Sequence, residues 1–211
     1  MKRRLLIGAG ILLGTVVVGG VAALLMIDRS GYHYVEPDFA IEGPQAGERV
    51  KLEANFTKPP KAKVYIVIDR THNRLELRKG TTTTLSAVCS AGSGYRLIER
   101  DSKKRKGREW VFDTPRGIHK IRNKVTDPVW KRPDWDFIEK GEPIPRNSGD
   151  RIEYGMLGDY ALHLGDGYMI HGTLYERLLG RGVTHGCVRL GKSDLATVYS
   201  ECPIGTPVYI Y

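Results

Sequence analysis

Val64–Tyr65–Ile66–Val67–Ile68–Asp69, then the turn Arg70–Asn73, then Arg74–Leu75–Glu76–Leu77–Arg78–Lys79–Gly80, is the stretch from which the fold can be read. The first run is dense in β-branched residues. In the second, Leu75 and Leu77 alternate with charged residues, which puts the leucines on one face and the charges on the other. Two such runs around a short polar turn make a β-hairpin. Outward from it, Leu85–Ser90 reads as a third strand closed by Ala91–Gly92–Ser93–Gly94. Gly117–Val125 follows the turn Thr114–Pro115–Arg116 as another strand. Arg151–Leu157, Tyr160–Leu164 and Tyr168–His171 read as further strands, the last two joined by Gly165–Asp166–Gly167, and Val208–Tyr211 closes the chain. Two short helices are predicted, Thr173–Leu179 and Ser193–Glu201, the second capped by Ser193 or Asp194. Short strands, frequent glycine turns and few helices make this a mainly β chain, a sandwich or barrel rather than a parallel α/β sheet.

The rest of the 211 residues has a different character. Leu5–Ile27 carries no charge, with Lys2, Arg3 and Arg4 before it and Asp28 and Arg29 after. A bilayer core of ~30 Å needs about 20 apolar residues, so this segment can span. The basic residues before it orient the N-terminus toward the cytoplasm. A cleaved signal peptide, with Gly20, Ala22 and Ala23 as small residues near a cleavage site, is the alternative; the apolar run exceeds the usual length of such a region. The expected organisation is a cytoplasmic tip and transmembrane helix over 1–30, a stalk or linker over 31–60, and one globular domain over 61–211. Gly31, Pro37, Gly43, Pro44, Gly47, Pro59 and Pro60 break any period in the middle segment, which could instead add an edge strand to the domain. A single-pass membrane protein with its domain on the far side of the membrane is the expected arrangement, with a secreted domain after signal cleavage as the alternative.

The net charge of +9 divides in the same way. Residues 2–29 hold four basic and one acidic residue; Arg96–Glu109 holds seven basic and three acidic. The second group has almost no interleaved aromatics, so it is no stacking platform for nucleic acid, and none is expected as a partner. It reads as a loop, either solvated or facing an anionic lipid or polymer surface. Thr126–Asp150, with Trp130 and Trp135 among several prolines, has no clear period and reads as a lid over a groove or an ordered surface loop.

The chemistry lies between His171 and Leu190. His171–Gly172–Thr173 is followed by Thr184–His185–Gly186–Cys187–Val188–Arg189–Leu190. A thiol is a sluggish nucleophile at its free pKa of about 8.5, and a nearby imidazole activates it. A glycine before the nucleophile lets a carbonyl approach the backbone, so the Gly186 and Cys187 N–H groups could bind a developing oxyanion. Zinc would take His171, His185 and Cys187 but needs a further ligand in a structural site, for which His163 is the candidate; no metal or other cofactor is expected. Cys89 and Cys202 could pair with each other or remain buried thiols.

These residues resemble the signature of the YkuD-type L,D-transpeptidase catalytic domain: His-Gly-Ser/Thr, then Ser/Thr-His-Gly-Cys, an aliphatic residue, and Asn or Arg. Asp113–Thr114–Pro115–Arg116–Gly117 resembles the family's Thr-Pro-x-Gly turn. Pro128–Val129–Trp130 resembles its Pro-x-Trp segment, and Gly205–Thr206–Pro207–Val208 its closing strand. The resemblance implies an L,D-transpeptidase-like β-sandwich as the catalytic domain over about 61–211, acting on peptidoglycan stem peptides; with the N-terminal span it implies the bacterial inner membrane as location, single-pass, with the domain in the periplasm. It implies Cys187 as nucleophile, His171 as general base oriented by the Gly172 carbonyl, His185 as support for the site and Gly186 as oxyanion donor. Arg189, Thr173, Thr184 and Trp130 would meet substrate or brace the loop. Tyr154 and Tyr160 are candidates for a hydroxyl in the oxyanion hole. The implied reaction is a 3→3 cross-link through a thioester; water as acceptor would make a carboxypeptidase, and a protein lysine an attachment enzyme. A wall-binding module without activity is the reading outside catalysis.

Overall fold

The computed structural model describes residues 32–35, 63–101 and 106–211. In chain order the strands are β1 Tyr32–Val35, β2 Val64–Asp69, β3 Arg74–Lys79, β4 Thr82–Ser90, β5 Arg96–Glu99, β6 Glu109–Val111, β7 Gly117–Lys120, β8 Asn123–Thr126 and β9 Trp130–Lys131. Helix α1, Asp134–Glu139, follows; then β10 Ile152–Glu153, β11 Tyr160–Gly165, β12 Tyr168–His171, β13 Val188–Leu190, helix α2 Lys192–Glu201 and β14 Pro207–Ile210.

Nine strands form one continuous ladder in the order β7-β14-β2-β3-β4-β13-β12-β11-β8. The long strand β4 is its corner. It pairs with β3 over Thr82–Val88 and with β13 through Cys89 and Ser90. The two halves share one core. Ile66, Ile68, Leu75 and Leu77 enter it from β2 and β3; Leu162, Leu164, Ile170, Val188 and Leu190 enter it from β11, β12 and β13. This is the mainly β, sandwich-like arrangement that the hairpin at Val64–Lys79 predicts. That hairpin is present in full register, from Val64 opposite Lys79 to Asp69 opposite Arg74. Four consecutive residues of β2, Tyr65–Ile68, are buried, as expected of an inner strand covered on both faces. In α2, Leu195, Val198 and Tyr199, with Cys202 directly after the helix, recur at helical spacing and lie on the core.

Several expectations need correction. Gly117–Val125 is two strands, not one: β7 pairs with β14 and β8 with β11, because the chain changes direction at buried Ile121. Arg151–Leu157 is strand only at Ile152–Glu153, and Thr173–Leu179 is a single 3-10 turn at Glu176–Leu178. The basic stretch is a hairpin as well as a loop: β5 pairs with β6, and its cations meet acids in Arg96–Glu109, Arg108–Glu99 and Arg108–Asp134. Within the expected linker, β1 pairs with β5 as an edge strand. The expected membrane span and the remainder of the linker lie outside the described residues, among which no helix is long and apolar enough to cross a membrane. Cys89 and Cys202 are free thiols, both fully buried, and burial pushes each up to about 12.

Candidate active site

Strands β12 and β13 run parallel, with Ile170 beside Val188 and His171 beside Arg189. Side chains alternate along a strand. Ile170 and Val188 face the core, so His171 and Arg189 face outward, and so does Cys187, two residues before Arg189. The antiparallel partner β11 sets His163 beside Met169 on the same outer face. One side of the sheet is therefore core, and the other is the floor of a cleft of about 810 Å³ that His163, Met169, His171, Cys187 and Arg189 all line. Trp110, Phe112, Trp130 and Trp135 stand around it. The segment Thr126–Asp150 borders the cleft with β9 and α1.

The loop before Cys187 is tied at several points. The Thr184 N–H donates to Ala91 O at 3.0 Å, and the Ser93 N–H to Thr184 O at 2.9 Å. The Thr184 hydroxyl donates to Cys187 O at 2.6 Å and accepts from the Gly186 N–H at 3.1 Å. The buried Thr114 hydroxyl donates to Gly186 O at 2.8 Å and accepts from the Gly92 N–H at 2.8 Å. Arg70 holds that turn in place through Asp113 and the Thr114 carbonyl, each at 2.5 Å. Gly186 has φ +123°, and a Cβ there would lie 2.8 Å from the Tyr168 ring; only glycine fits.

These bonds correct one expectation. The Gly186 N–H is taken up by Thr184, so it does not face an oxyanion; the other donor named at this loop is the Cys187 N–H.

Cys187 is half-buried, and its thiol donates to Gly167 O at 3.7 Å. Burial pushes the thiol up, while the Met169 backbone and the Arg189 charge pull it down. His171 is 5% exposed. Burial first, then the Arg189 charge, lowers its imidazole to about 4, against the opposing influence of the Gly172 carbonyl. Its Nδ1 has no well-formed hydrogen-bond partner among the described residues, so the Gly172 carbonyl acts on it by proximity and not through a good bond. At neutral pH the imidazole and the thiol of this cleft are both neutral. Behind His171 the backbones of Gly158 and Gly172 touch: a Cβ on Gly158 would sit 2.8 Å from Gly172 Cα.

A family model for the L,D-transpeptidase catalytic domain (YkuD) matches residues 63–210. The chain belongs to this family. The Escherichia coli protein described as probable L,D-transpeptidase YbiS is 30% identical over 170 residues, 78% of this chain and 50% of that one. The Salmonella typhimurium protein described as probable L,D-transpeptidase ErfK/SrfK is 28% identical over 171 residues, 79% of this chain and 50% of that one. The chain thus spans about half the length of the curated relatives it matches. Among solved structures, an L,D-transpeptidase from Mycobacterium smegmatis superposes with a TM-score of 0.50 at 20% identity, over 71% of this chain and 59% of that one, which shows a shared fold.

Within this L,D-transpeptidase domain the other expected residues fall in different places. Thr184 and Trp130 belong to the cleft. His185 lines it too, but its Nε2 is 2.9 Å from Glu139, its ring stacks on Trp135 at 4.1 Å and meets Phe112 edge-on at 4.4 Å. Thr173 and Tyr154 instead line a second cleft of about 760 Å³ in which Cys187 and His171 take no part. The Thr173 hydroxyl accepts from the Tyr175 N–H, and Tyr154 is 79% exposed. Tyr160 has the parity of Leu162, stacks on Tyr199 of α2 at 4.3 Å and packs on the core, the opposite face from His171. Neither tyrosine hydroxyl stands by Cys187. Tyr168 lines the cleft with its ring over Gly186, and burial followed by the Cys187 charge pushes its hydroxyl up. No motif pointed to it.

Two further residues belong to the site without a motif of their own. His163, considered above only as a further zinc ligand, is placed in the cleft by strand register. Thr114 was visible as part of a turn, but its bridge to Gly186 spans 72 residues. Among the described residues no three His, Cys, Asp or Glu side chains converge as a metal site requires, so the zinc set weighed from His171, His185 and Cys187 is not assembled.

Proposed function

We propose that this chain is a peptidoglycan L,D-transpeptidase forming 3→3 cross-links through a thioester on Cys187. The observation that supports it is the placement of Cys187, His171 and Arg189 on one outward face of adjacent parallel strands, at the bottom of a cleft, in a member of this family. His171, neutral at physiological pH, takes the thiol proton as Sγ attacks the carbonyl of the third, diamino residue of a stem peptide. The Cys187 N–H faces the developing oxyanion. As the tetrahedral species collapses, the bond to D-Ala breaks and His171 returns the proton to the leaving amine. The thioester is then attacked by the side-chain amine of a second stem, which loses its proton to His171 while Sγ leaves. Arg189, half-buried with no carboxylate partner among the described residues, receives a carboxylate of the stem. Thr184 and Thr114 hold the loop, and Trp130 forms part of the wall.

The N-terminal apolar segment would anchor the domain on the outer side of the inner membrane, where its substrate is. Incubation of the purified protein with tetrapeptide muropeptides, read by mass, tests the proposal. A 3→3 linked dimer with free D-Ala is expected. Tripeptide and D-Ala without dimer would make it a carboxypeptidase, and no turnover would contradict the reading.

A further inference from the structure

Helix α1 grips the loop that carries the nucleophile. Trp135 and Glu139 are four residues apart, so they share one face of the helix. Both meet the same imidazole: Trp135 stacks on the His185 ring at 4.1 Å and 16°, and Glu139 Oε2 lies 2.9 Å from its Nε2. Phe112 closes the ring from its edge. The helix itself is held from behind. Asp136, 4% exposed, is bound by Lys140 at 3.0 Å and by Arg132, whose guanidinium also covers the buried Phe137 ring.

We infer that Glu139 is a positioning residue for the reaction: it fixes the tautomer and plane of His185 and, through it, the loop Thr184–Cys187. A carboxylate only accepts hydrogen bonds, so the Nε2 that faces it must carry a proton. Without Glu139 the ring can turn over between its aromatic neighbours, and the loop that follows it loses one of its fixed points. Stem peptides would still bind, since Glu139 does not line the cleft, but the thiol would be misplaced for attack. The chain departs from a merely structural contact in one respect: what Glu139 holds is two residues from Sγ.

The inference rests on the Cys187 reading, and the test separates the two. In the full-length protein, Glu139→Ala should lower kcat for tetrapeptide turnover about 10- to 100-fold with little change in KM. Glu139→Gln still offers an oxygen to Nε2–H and should recover most of that loss. Nitrogen NMR of the wild-type protein should show His185 protonated at Nε2, a result that does not depend on how well any variant folds. A kcat for Glu139→Ala within about twofold of wild type, equal losses for Ala and Gln, or an Nδ1–H tautomer in the wild type would each overturn the inference. If the wild type turns over no muropeptide, the proposed reaction fails, while the tautomer still decides the role of Glu139.

Discussion

His171 offers a perturbation whose size follows from its surroundings. Its ring is buried and lies near the Arg189 charge, which lowers it from an ordinary 6.5 to about 4. The sign follows from linkage: the unfolded chain takes up a proton near pH 6.5, whereas the folded chain resists until about pH 4. The neutral ring is therefore compatible with folding above pH 6.5, and stability is lost as pH falls from 6.5 toward 4. With 1.36 kcal/mol per pKa unit, the full loss is about 3 kcal/mol, of which about 2 kcal/mol appears between pH 7 and pH 5. That is a large part of the stability of a typical domain, about 5–15 kcal/mol. Urea unfolding of wild type and His171→Gln at pH 7, 6 and 5 isolates the effect, because every other titrating group is common to both. Wild type should lose about 2 kcal/mol more than the variant over this range. Parallel curves would refute the buried neutral imidazole. The same assignment places the acid limb of kcat/KM, as far as it reports His171, well below pH 6.5; removing the Arg189 charge should move it upward.

Three other expectations concern the nucleophile loop. Thr114→Val keeps the volume but strips the half-buried Gly92 N–H and the buried Gly186 carbonyl of their partner; it should destabilise the domain by about 1–3 kcal/mol in urea unfolding and lower turnover. Gly186→Ala should abolish turnover while circular dichroism shows strands retained, since a Cβ at φ +123° meets the Tyr168 ring at 2.8 Å. Native alkylation with iodoacetamide should label Cys187 and spare Cys89 and Cys202, which are buried in the core; equal labelling by peptide mapping would contradict their placement.

Local pattern carried the sequence reading wherever one strand could report its own environment. The alternation of Leu75 and Leu77, the apolar run of β2 and the helical spacing in α2 are each set by burial on a known face, and each is present. Cys187, His171 and Arg189 are legible as a group because the motif fixes them in sequence; β12 and β13 then set His171 beside Arg189, with Cys187 one residue before β13. Contacts across long separations were not legible. Tyr160 and Tyr154 looked equivalent as hydroxyls, yet strand parity turns the first into the core and the second lines another cleft. Gly186 looked like an oxyanion donor because nothing local shows that the hydroxyl two residues earlier claims its N–H. Glu139 and Thr114 reach the loop from segments 46 and 72 residues away, with no shared period to announce them. The 3-10 turn at Glu176–Leu178 reads as a longer helix in sequence because its residues suit one, but the backbone is already extended at Leu179.

The thioester is the central claim, and it can be seen directly. Wild-type protein quenched in acid during turnover of a tetrapeptide muropeptide should show, by mass mapping, the tripeptide acyl group on the peptide that contains Cys187. Cys187→Ala should bind substrate, carry no adduct and release no D-Ala. Release of D-Ala or dimer by Cys187→Ala at the wild-type rate would contradict Cys187 as the nucleophile.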